Sequence, residues 1–170
     1  RDWSSDVCSS DLQLVDDEKD VQVIYLAKGI SQHDLVNRDW VSKRYDIPGD
    51  RYGLFATFRG DASDGLPGVK GIGEKGAALI ARYFESAEDA IAAAKIGDER
   101  LSQSLRKKII EGQDYLAFAP KLVSCATDVP LPRIKLNIPE PPKSFEKITK
   151  FKDEFNLGAS VDRLISALNW

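Results

Sequence analysis

Apolar residues recur along most of the chain at helical spacing, and one segment has the pattern of a strand. Residues 21–27 (VQVIYLA) are β-branched, aromatic and apolar, which predicts a strand. Asn37 is a helix-capping residue type and predicts a helix over residues 38–45, and Asp50 predicts a second helix ending near residue 58. The Ile-Pro-Gly run before Asp50 separates the two helices.

Helical periodicity resumes after a glycine-rich stretch at residues 60–73. One apolar face predicts a helix over residues 74–84. Ser86, followed three residues later by Asp89, predicts the capped start of a helix that reaches about residue 95. Two more apolar stripes predict one helix around residues 101–109 and another over residues 114–125.

Prolines change the pattern near the C-terminus. Residues 128–143 contain five prolines, which predicts an extended connector. After it, two amphipathic helices are expected to pack back on the core. Their apolar stripes are Phe145, Ile148, Phe151, Phe155 and Val161, Leu164, Ile165, Leu168. The fold class expected from these patterns is mainly α-helical with one or two strands.

The composition excludes several classes of protein. With 170 residues, 42% hydrophobic and 30% charged, the chain is neither collagen-like, nor a disulfide scaffold, nor wholly disordered. No apolar run is long enough to cross a membrane, and neither end looks like a signal peptide. Cys8 and Cys125 form no CxxC pair, so zinc is not expected and a cytoplasmic location is the simplest interpretation.

Charge is unevenly distributed, although the net value is only −3. Residues 1–20 hold two basic and seven acidic side chains, so the rest of the chain is slightly positive, which is compatible with nucleic-acid binding. Residues 1–12 (RDWSSDVCSSDL) show no periodicity and resemble a translated adaptor sequence. We therefore expect residues 1–12 to lie outside the fold, and the natural sequence to be a truncated fragment that starts near Gln13.

The most informative segment is GDASDGLPGVKGIGEK, residues 60–75. Its second half has the spacing of a helix-hairpin-helix turn. Gly71 and Gly73 are expected to adopt positive φ and to let backbone amides approach an anion, with Lys70 and Lys75 adding positive charge. Such a turn would hold a sugar-phosphate backbone and read no base.

Two other interpretations of these glycines stay open. Gly71-x-Gly73-x-x-Gly76 matches the dinucleotide-binding fingerprint, but that fingerprint requires a strand immediately before it. The glycines could also form a tight turn without any ligand. Lys107, Lys108 and Lys121 either reach phosphates or lie on solvated helix faces.

Two carboxylates, Asp61 and Asp64, lie three positions apart directly before the turn. Paired acids at this distance can share a divalent metal ion beside a scissile phosphate. An Asp-x-x-Asp pair alone is a weak signal, because turns and helix caps use the same residues. Next to a turn that holds the DNA backbone, it indicates a nuclease.

The motif of residues 60–75 resembles the hairpin region of bacterial 5′-3′ exonucleases, including the 5′-nuclease domain of DNA polymerase I and the flap endonucleases. The resemblance covers nearly all of residues 13–170 and implies an α/β parent fold. It implies that Asp61 and Asp64 help to hold the second of two Mg²⁺ (or Mn²⁺) ions. It also implies that Gly68, Gly71, Gly73 and Lys75 grip the duplex, and that hairpin carbonyls hold K⁺ in some relatives.

This chain departs from the pattern of the family that it resembles in two respects. The other metal-binding acids of the family lie in an N-terminal half that the chain lacks, and Gly76 stands where a threonine is usual. The division we expect is an adaptor (1–12), a remnant of the nuclease core (13–59), the helix-hairpin-helix region (60–127), the connector (128–143) and the C-terminal helices (144–170).

The function predicted is a 5′-3′ exonuclease fragment of DNA replication and repair that binds flapped, nicked or branched DNA and no membrane. The parent gene could also encode a polymerase domain. A noncatalytic helix-hairpin-helix DNA-binding module is the alternative, and a nucleotide-dependent dehydrogenase is a third hypothesis.

Overall fold

The structure, a computed structural model, describes residues 9–26, 30–62, 64–130, 132 and 140–169. Cys8, Ser63, Ala27 and half of the predicted proline connector lie outside the described residues. The chain divides into two compact units, Arg1–Thr127 and Asp128–Trp170. The fold is mainly helical, as the sequence predicts, and the five-segment division remains a prediction.

The first unit begins with two 3₁₀ helices, Ser9–Leu14 and Asp17–Lys19, and a two-stranded antiparallel sheet. Strand β1 is Val23–Tyr25, shorter than predicted, and β2 is Asp34–Val36. Strand β2 was not predicted from the sequence, because it lies between polar residues, whereas β1, of equal length, lies in an apolar run. A further 3₁₀ helix, Ile30–Gln32, precedes it.

Seven α-helices complete the first unit. Their bounds are α1 Arg38–Tyr45, α2 Tyr52–Arg59, α3 Glu74–Tyr83, α4 Ala87–Ile96, α5 Gln103–Glu111, α6 Gln113–Leu116 and α7 Ala119–Val123. Helix α2 packs on α3, and α4 packs on α5. The core holds large side chains from α2 together with small alanines of α4, which let neighbouring helices approach closely.

Helix starts follow local rules at two of the three predicted caps. The Asn37 side chain accepts a hydrogen bond from the Trp40 amide at 2.8 Å, and Ser86 accepts one from the Asp89 amide at 3.0 Å, so both are confirmed. The prediction that Asp50 caps α2 is wrong. Arg51 occupies the N-cap position of α2 and makes no side-chain capping bond.

Two other expectations need correction. The single helix predicted over residues 114–125 is two helices, because Pro120 in the first turn of α7 has no amide to continue the ladder of α6. Residues 9–12 were expected outside the fold, yet they begin a 3₁₀ helix whose Leu12 is buried at 1% exposure.

The second unit contains α8, Glu146–Glu154, and α9, Ala159–Ala167. Lys152 of α8 pairs with Asp162 of α9 at 2.7 Å. The rings of Phe151 and Phe155 stack with centroids 4.7 Å apart. None of the helices in the described part of the chain is long and apolar enough to cross a membrane.

Candidate functional site

The hairpin segment, residues 60–73, connects α2 to α3. Its first half is a tight turn closed by two backbone hydrogen bonds between Asp61 and Leu66, of 2.9 and 2.8 Å. Gly65 lies in this turn at φ +70°. The turn places Asp61 beside the end of α2 and leaves Asp64 exposed at the tip.

Gly60 and Gly68 close the base of this turn. Both have positive φ, +83° and +67°. A β-carbon on Gly68 would lie 2.5 Å from the carbonyl carbon of Arg59, and one on Gly60 would lie 2.6 Å from the Gly68 nitrogen. Gly68, which the resemblance assigned to DNA, is therefore buried in a backbone-to-backbone contact.

The second half of the hairpin segment is anchored by two apolar side chains. Val69 and Ile72 are 3% and 4% exposed. The Val69 amide donates to the Phe58 carbonyl at 3.0 Å, and the Ile72 amide donates to the Val69 carbonyl at 2.9 Å. Lys70 and Gly71, between the two anchors, face solvent.

Gly73 is the N-cap residue of α3 and makes no side-chain capping bond. The first bond of the helix runs from the Ala77 amide to the Gly73 carbonyl, so the amides of Glu74, Lys75 and Gly76 have no intrahelical acceptor. A β-carbon on Gly73 would meet nothing within 4 Å. The start of α3 is thus open to an approaching anion.

One expectation about these glycines is wrong in part. Gly71 has φ +80°, as predicted, but Gly73 has φ −95° and ψ −170°, an extended conformation that any residue adopts. Neither backbone strain nor a close neighbouring atom therefore requires glycine at position 73, where a side chain would project into open space. Lys70 and Lys75 lie exposed on either side of it and offset the negative charge of Glu74.

Asp61 has a defined environment. Its carboxylate accepts a hydrogen bond from the Ser9 hydroxyl at 2.6 Å and lies 3.7 Å from the Arg59 guanidinium, and its side chain is 12% exposed. Arg59 is itself held over the Phe55 ring, 4.8 Å from the centroid, and donates to the Gly60 carbonyl at 3.0 Å.

Asp61 and Asp64 line one cavity of about 520 Å³. Gln13 lies on its wall and donates to the Val123 carbonyl at 2.9 Å, and Cys125 lies opposite with its thiol directed to the Ser10 carbonyl at 3.4 Å. The described residues contain no group of three or more acidic, histidine or cysteine side chains able to hold a metal ion.

Sequence reasoning missed two residues of this site. Arg59 directly precedes the Gly-Asp pair, so its position was a usable signal. Ser9 gave none, because it contacts Asp61 across 52 positions from a segment that seemed foreign to the fold.

The dinucleotide interpretation finds no support in the fold. Its fingerprint must follow a strand, and in the described residues the hairpin segment instead follows α2, with a turn at residues 69–71. The tight turn without a ligand remains open on geometry alone.

The chain is similar to known proteins over most of its length. Residues 47–144 match the family described as "5'-3' exonuclease, C-terminal SAM fold". A "5'-3' exonuclease" of Streptomyces coelicolor is 40% identical over 92% of this chain and 52% of its own length. A "Flap endonuclease Xni" of Pseudoalteromonas translucida is 38% identical over 56% of the chain and 35% of its own length.

A "DNA polymerase I" of Mycobacterium bovis is 33% identical over 92% of this chain and 17% of its own length. The chain thus spans about half the length of the exonuclease relative, at 52%. The family match covers more than half of the chain and includes the whole hairpin segment. The chain therefore belongs to the 5′-3′ exonuclease family, of which it carries the C-terminal fold.

Proposed function

We propose that this chain grips the sugar-phosphate backbone of duplex DNA near a 5′ end and supplies part of a two-metal site for phosphodiester hydrolysis. The observation that carries the proposal is the open start of α3, where the amides that follow Gly73 lack an intrahelical acceptor and Lys70 and Lys75 lie exposed. Helix N-termini with adjacent cations bind phosphates, and they read no base.

The rigidity of the hairpin segment supports this role. Val69 and Ile72 are buried and hydrogen-bonded, so the exposed residues between and after them are held in place before DNA arrives. A preorganised site loses less conformational entropy on binding than a mobile loop.

Asp61 and Asp64 fit the metal only in part. Carboxylate oxygens are the donors that Mg²⁺ and Mn²⁺ prefer, and both aspartates line the same cavity. Arg59 lies beside Asp61 and competes with a cation for its oxygens. Mg²⁺ would act as a Lewis acid at the scissile phosphate, and the aspartates would hold it there.

Two carboxylates cannot organise two metal ions. We therefore expect the chain by itself to bind branched DNA weakly and to cleave it poorly or not at all. Efficient Mg²⁺-dependent cleavage by the pure chain would contradict this expectation. We also propose action in the cytoplasm.

The noncatalytic DNA-binding module remains the second candidate, favoured by the absence of a three-residue metal cluster among the described residues. The parent gene discriminates between the two, because a nuclease must encode further acidic residues before Gln13. K⁺ binding by hairpin carbonyls also remains a proposal.

The test is a fluorescence-anisotropy titration of a duplex with a 5′ single-stranded flap, at two salt concentrations. Gly73→Val places bulk where the structure has open space, in a backbone conformation that valine tolerates. We expect it to weaken binding at least about tenfold while leaving the thermal stability near that of the parent chain.

Ala92→Val is the control, because it places the same valine side chain at an exposed position of α4. It should bind as the parent chain does. Equal binding by Gly73→Val and Ala92→Val, or no binding by the folded parent chain at low salt, would overturn the proposal.

A further inference from the structure

A lysine from a distant helix holds the hairpin segment. The Lys108 ammonium donates a hydrogen bond to the Gly71 carbonyl at 2.8 Å, across 37 positions of sequence. The side-chain stem lies against the same residue, because a β-carbon on Gly71 would be 3.2 Å from Lys108 Cε. Lys108 therefore contacts the hairpin segment with both its stem and its charged end.

This contact belongs to one face of α5. Leu105 lies 3.6 Å from the position of a β-carbon on Gly76, and Gly112 lies so close to Val69 that a β-carbon there would be 2.7 Å from Val69 Cγ1. Positions 105, 108 and 112 share one side of a helix.

The bond also completes the restraint of one peptide unit. The peptide between Gly71 and Ile72 has its amide bonded to the Val69 carbonyl at 2.9 Å and its carbonyl bonded to Lys108. Gly71 has φ +80°, but glycine can adopt many other backbone conformations. Without a restraint at Gly71, this peptide would therefore be mobile. With both ends bonded, the orientation of the peptide is determined.

We propose that Lys108 is a positioning residue for DNA binding. It holds the Gly71 peptide in the orientation that presents the start of α3 to a phosphate, and it acts through the hairpin segment instead of through its own contact with DNA. This inference rests on the proposed function, which supplies the DNA ligand.

The test compares Lys108→Met with Lys107→Met in the full chain. Methionine keeps most of the lysine stem and removes the donor. Lys107 is the matched control, because its side chain is 76% exposed and its nearest acidic partner, Glu111, is 3.8 Å away. Both variants lose one positive charge from the same helix, so their difference isolates the bond to Gly71.

Two properties of each variant are measured. The first is its affinity for the 5′-flap duplex at several salt concentrations, and the second is the rate of amide hydrogen exchange over residues 70–76. We expect Lys108→Met to bind about tenfold more weakly than Lys107→Met, since a charged hydrogen bond is lost. Exchange at residues 70–76 should accelerate without DNA, and the slope of log affinity against log salt should match that of Lys107→Met.

Equal affinity and equal exchange in the two variants would overturn the proposal. So would a salt slope smaller by about 0.9 with unchanged exchange, because that result marks a direct phosphate contact by Lys108. If the parent chain binds no DNA, the proposed function fails, while exchange still decides whether Lys108 holds the hairpin segment. If Lys108→Met does not fold, Lys108→Leu, which also lacks a donor, is compared with Lys107→Leu by the same measurements and criteria.

Discussion

The two halves of the hairpin segment use glycine in opposite ways. In the first half, Gly60 and Gly68 face inward and pack backbone against backbone, where a β-carbon would come within 2.6 Å of a main-chain atom. In the second half, Gly73 faces open space and Gly71 meets only the flexible end of Lys108. The inward glycines build the turn, and the outward ones leave room for a ligand.

The difference shows that a glycine-rich motif is not one functional unit. Asp61, in the first half, is held by Ser9 and Arg59, whereas Lys70, in the second half, is exposed. Substitutions in the first half should therefore act mainly on folding and metal binding. Those in the second half should act mainly on DNA affinity.

The largest expected effect is on stability. Gly68→Ala should lower the free energy of unfolding by about 3 kcal/mol, because it combines a positive φ with a backbone clash. Gly73→Ala is the matched change in the second half and should cost about 1 kcal/mol or less. Urea denaturation of both variants measures the difference, and equal costs would remove the distinction between the halves.

The next effect concerns the positive charge of Lys70 and Lys75, on either side of the start of α3. Replacing Lys70 and Lys75 together by alanine should weaken DNA binding and reduce the slope of log affinity against log salt by about 1.8. Lys43 and Lys95 replaced together are the control, since both are exposed and lie outside the hairpin segment. If the salt slope of the control variant falls by the same amount, the net charge of the chain and not the position of the lysines determines the salt dependence of DNA binding.

A smaller effect is expected on the stability that a bound metal ion gives, and it tests whether the first half of the hairpin segment holds a metal ion. Mn²⁺ at about ten times its dissociation constant should raise the free energy of unfolding of the parent chain by about 1.4 kcal/mol. Asp61→Asn should lose this gain, and Asp39→Asn, at an exposed carboxylate of α1, should keep it. Thermal melts with and without Mn²⁺ provide the measurement. An unchanged gain in Asp61→Asn would exclude this aspartate as a ligand.

The smallest effect lies at the far end of α3. Hydrogen bonds from Arg100 lower the pKa of Asp98 from 3.8 to about 2, and the Arg100 guanidinium lies 4.7 Å from the centroid of Phe84, which ends the helix. The depressed pKa stabilises the fold above pH 3.8, and this contribution is lost as the pH falls toward 2.

Asp98→Asn should therefore lower the urea midpoint slightly near neutral pH and have less effect at about pH 2, where the parent chain has lost the same contribution. DNA affinity near neutral pH should not change. A gap between the two midpoints that widens in acid would contradict the assignment.

Local rules predicted much of the fold. The caps at Asn37 and Ser86 follow from interactions over three residues, and the helices that follow them were predicted within a residue of their ends. Asp50 failed because Arg51 bonds to the Phe84 carbonyl at 2.7 Å, a tertiary contact that the sequence around α2 does not reveal. Strand β2 was not predicted because its two apolar residues are flanked by polar ones, unlike those of β1.

The candidate site was predictable as a list of residues but not as an arrangement. Residue types and spacing indicated Asp61, Asp64, the glycines and the lysines. They could not distinguish Gly68 from Gly73, because inward and outward glycines look the same in sequence. From the sequence, Lys108 could either reach a phosphate or lie on a solvated helix face. Residue types and spacing could not reveal that it donates a hydrogen bond to the Gly71 carbonyl.

The sequence by itself determined most of the helices and the family to which the hairpin motif belongs. These features depend on neighbours within a few residues, which the sequence displays directly. The tertiary structure decided that Leu12 joins the core, that Ser9 and Arg59 hold Asp61, and that α5 supports the hairpin segment. Each of those outcomes depends on which distant surfaces pack together, and local spacing does not encode that.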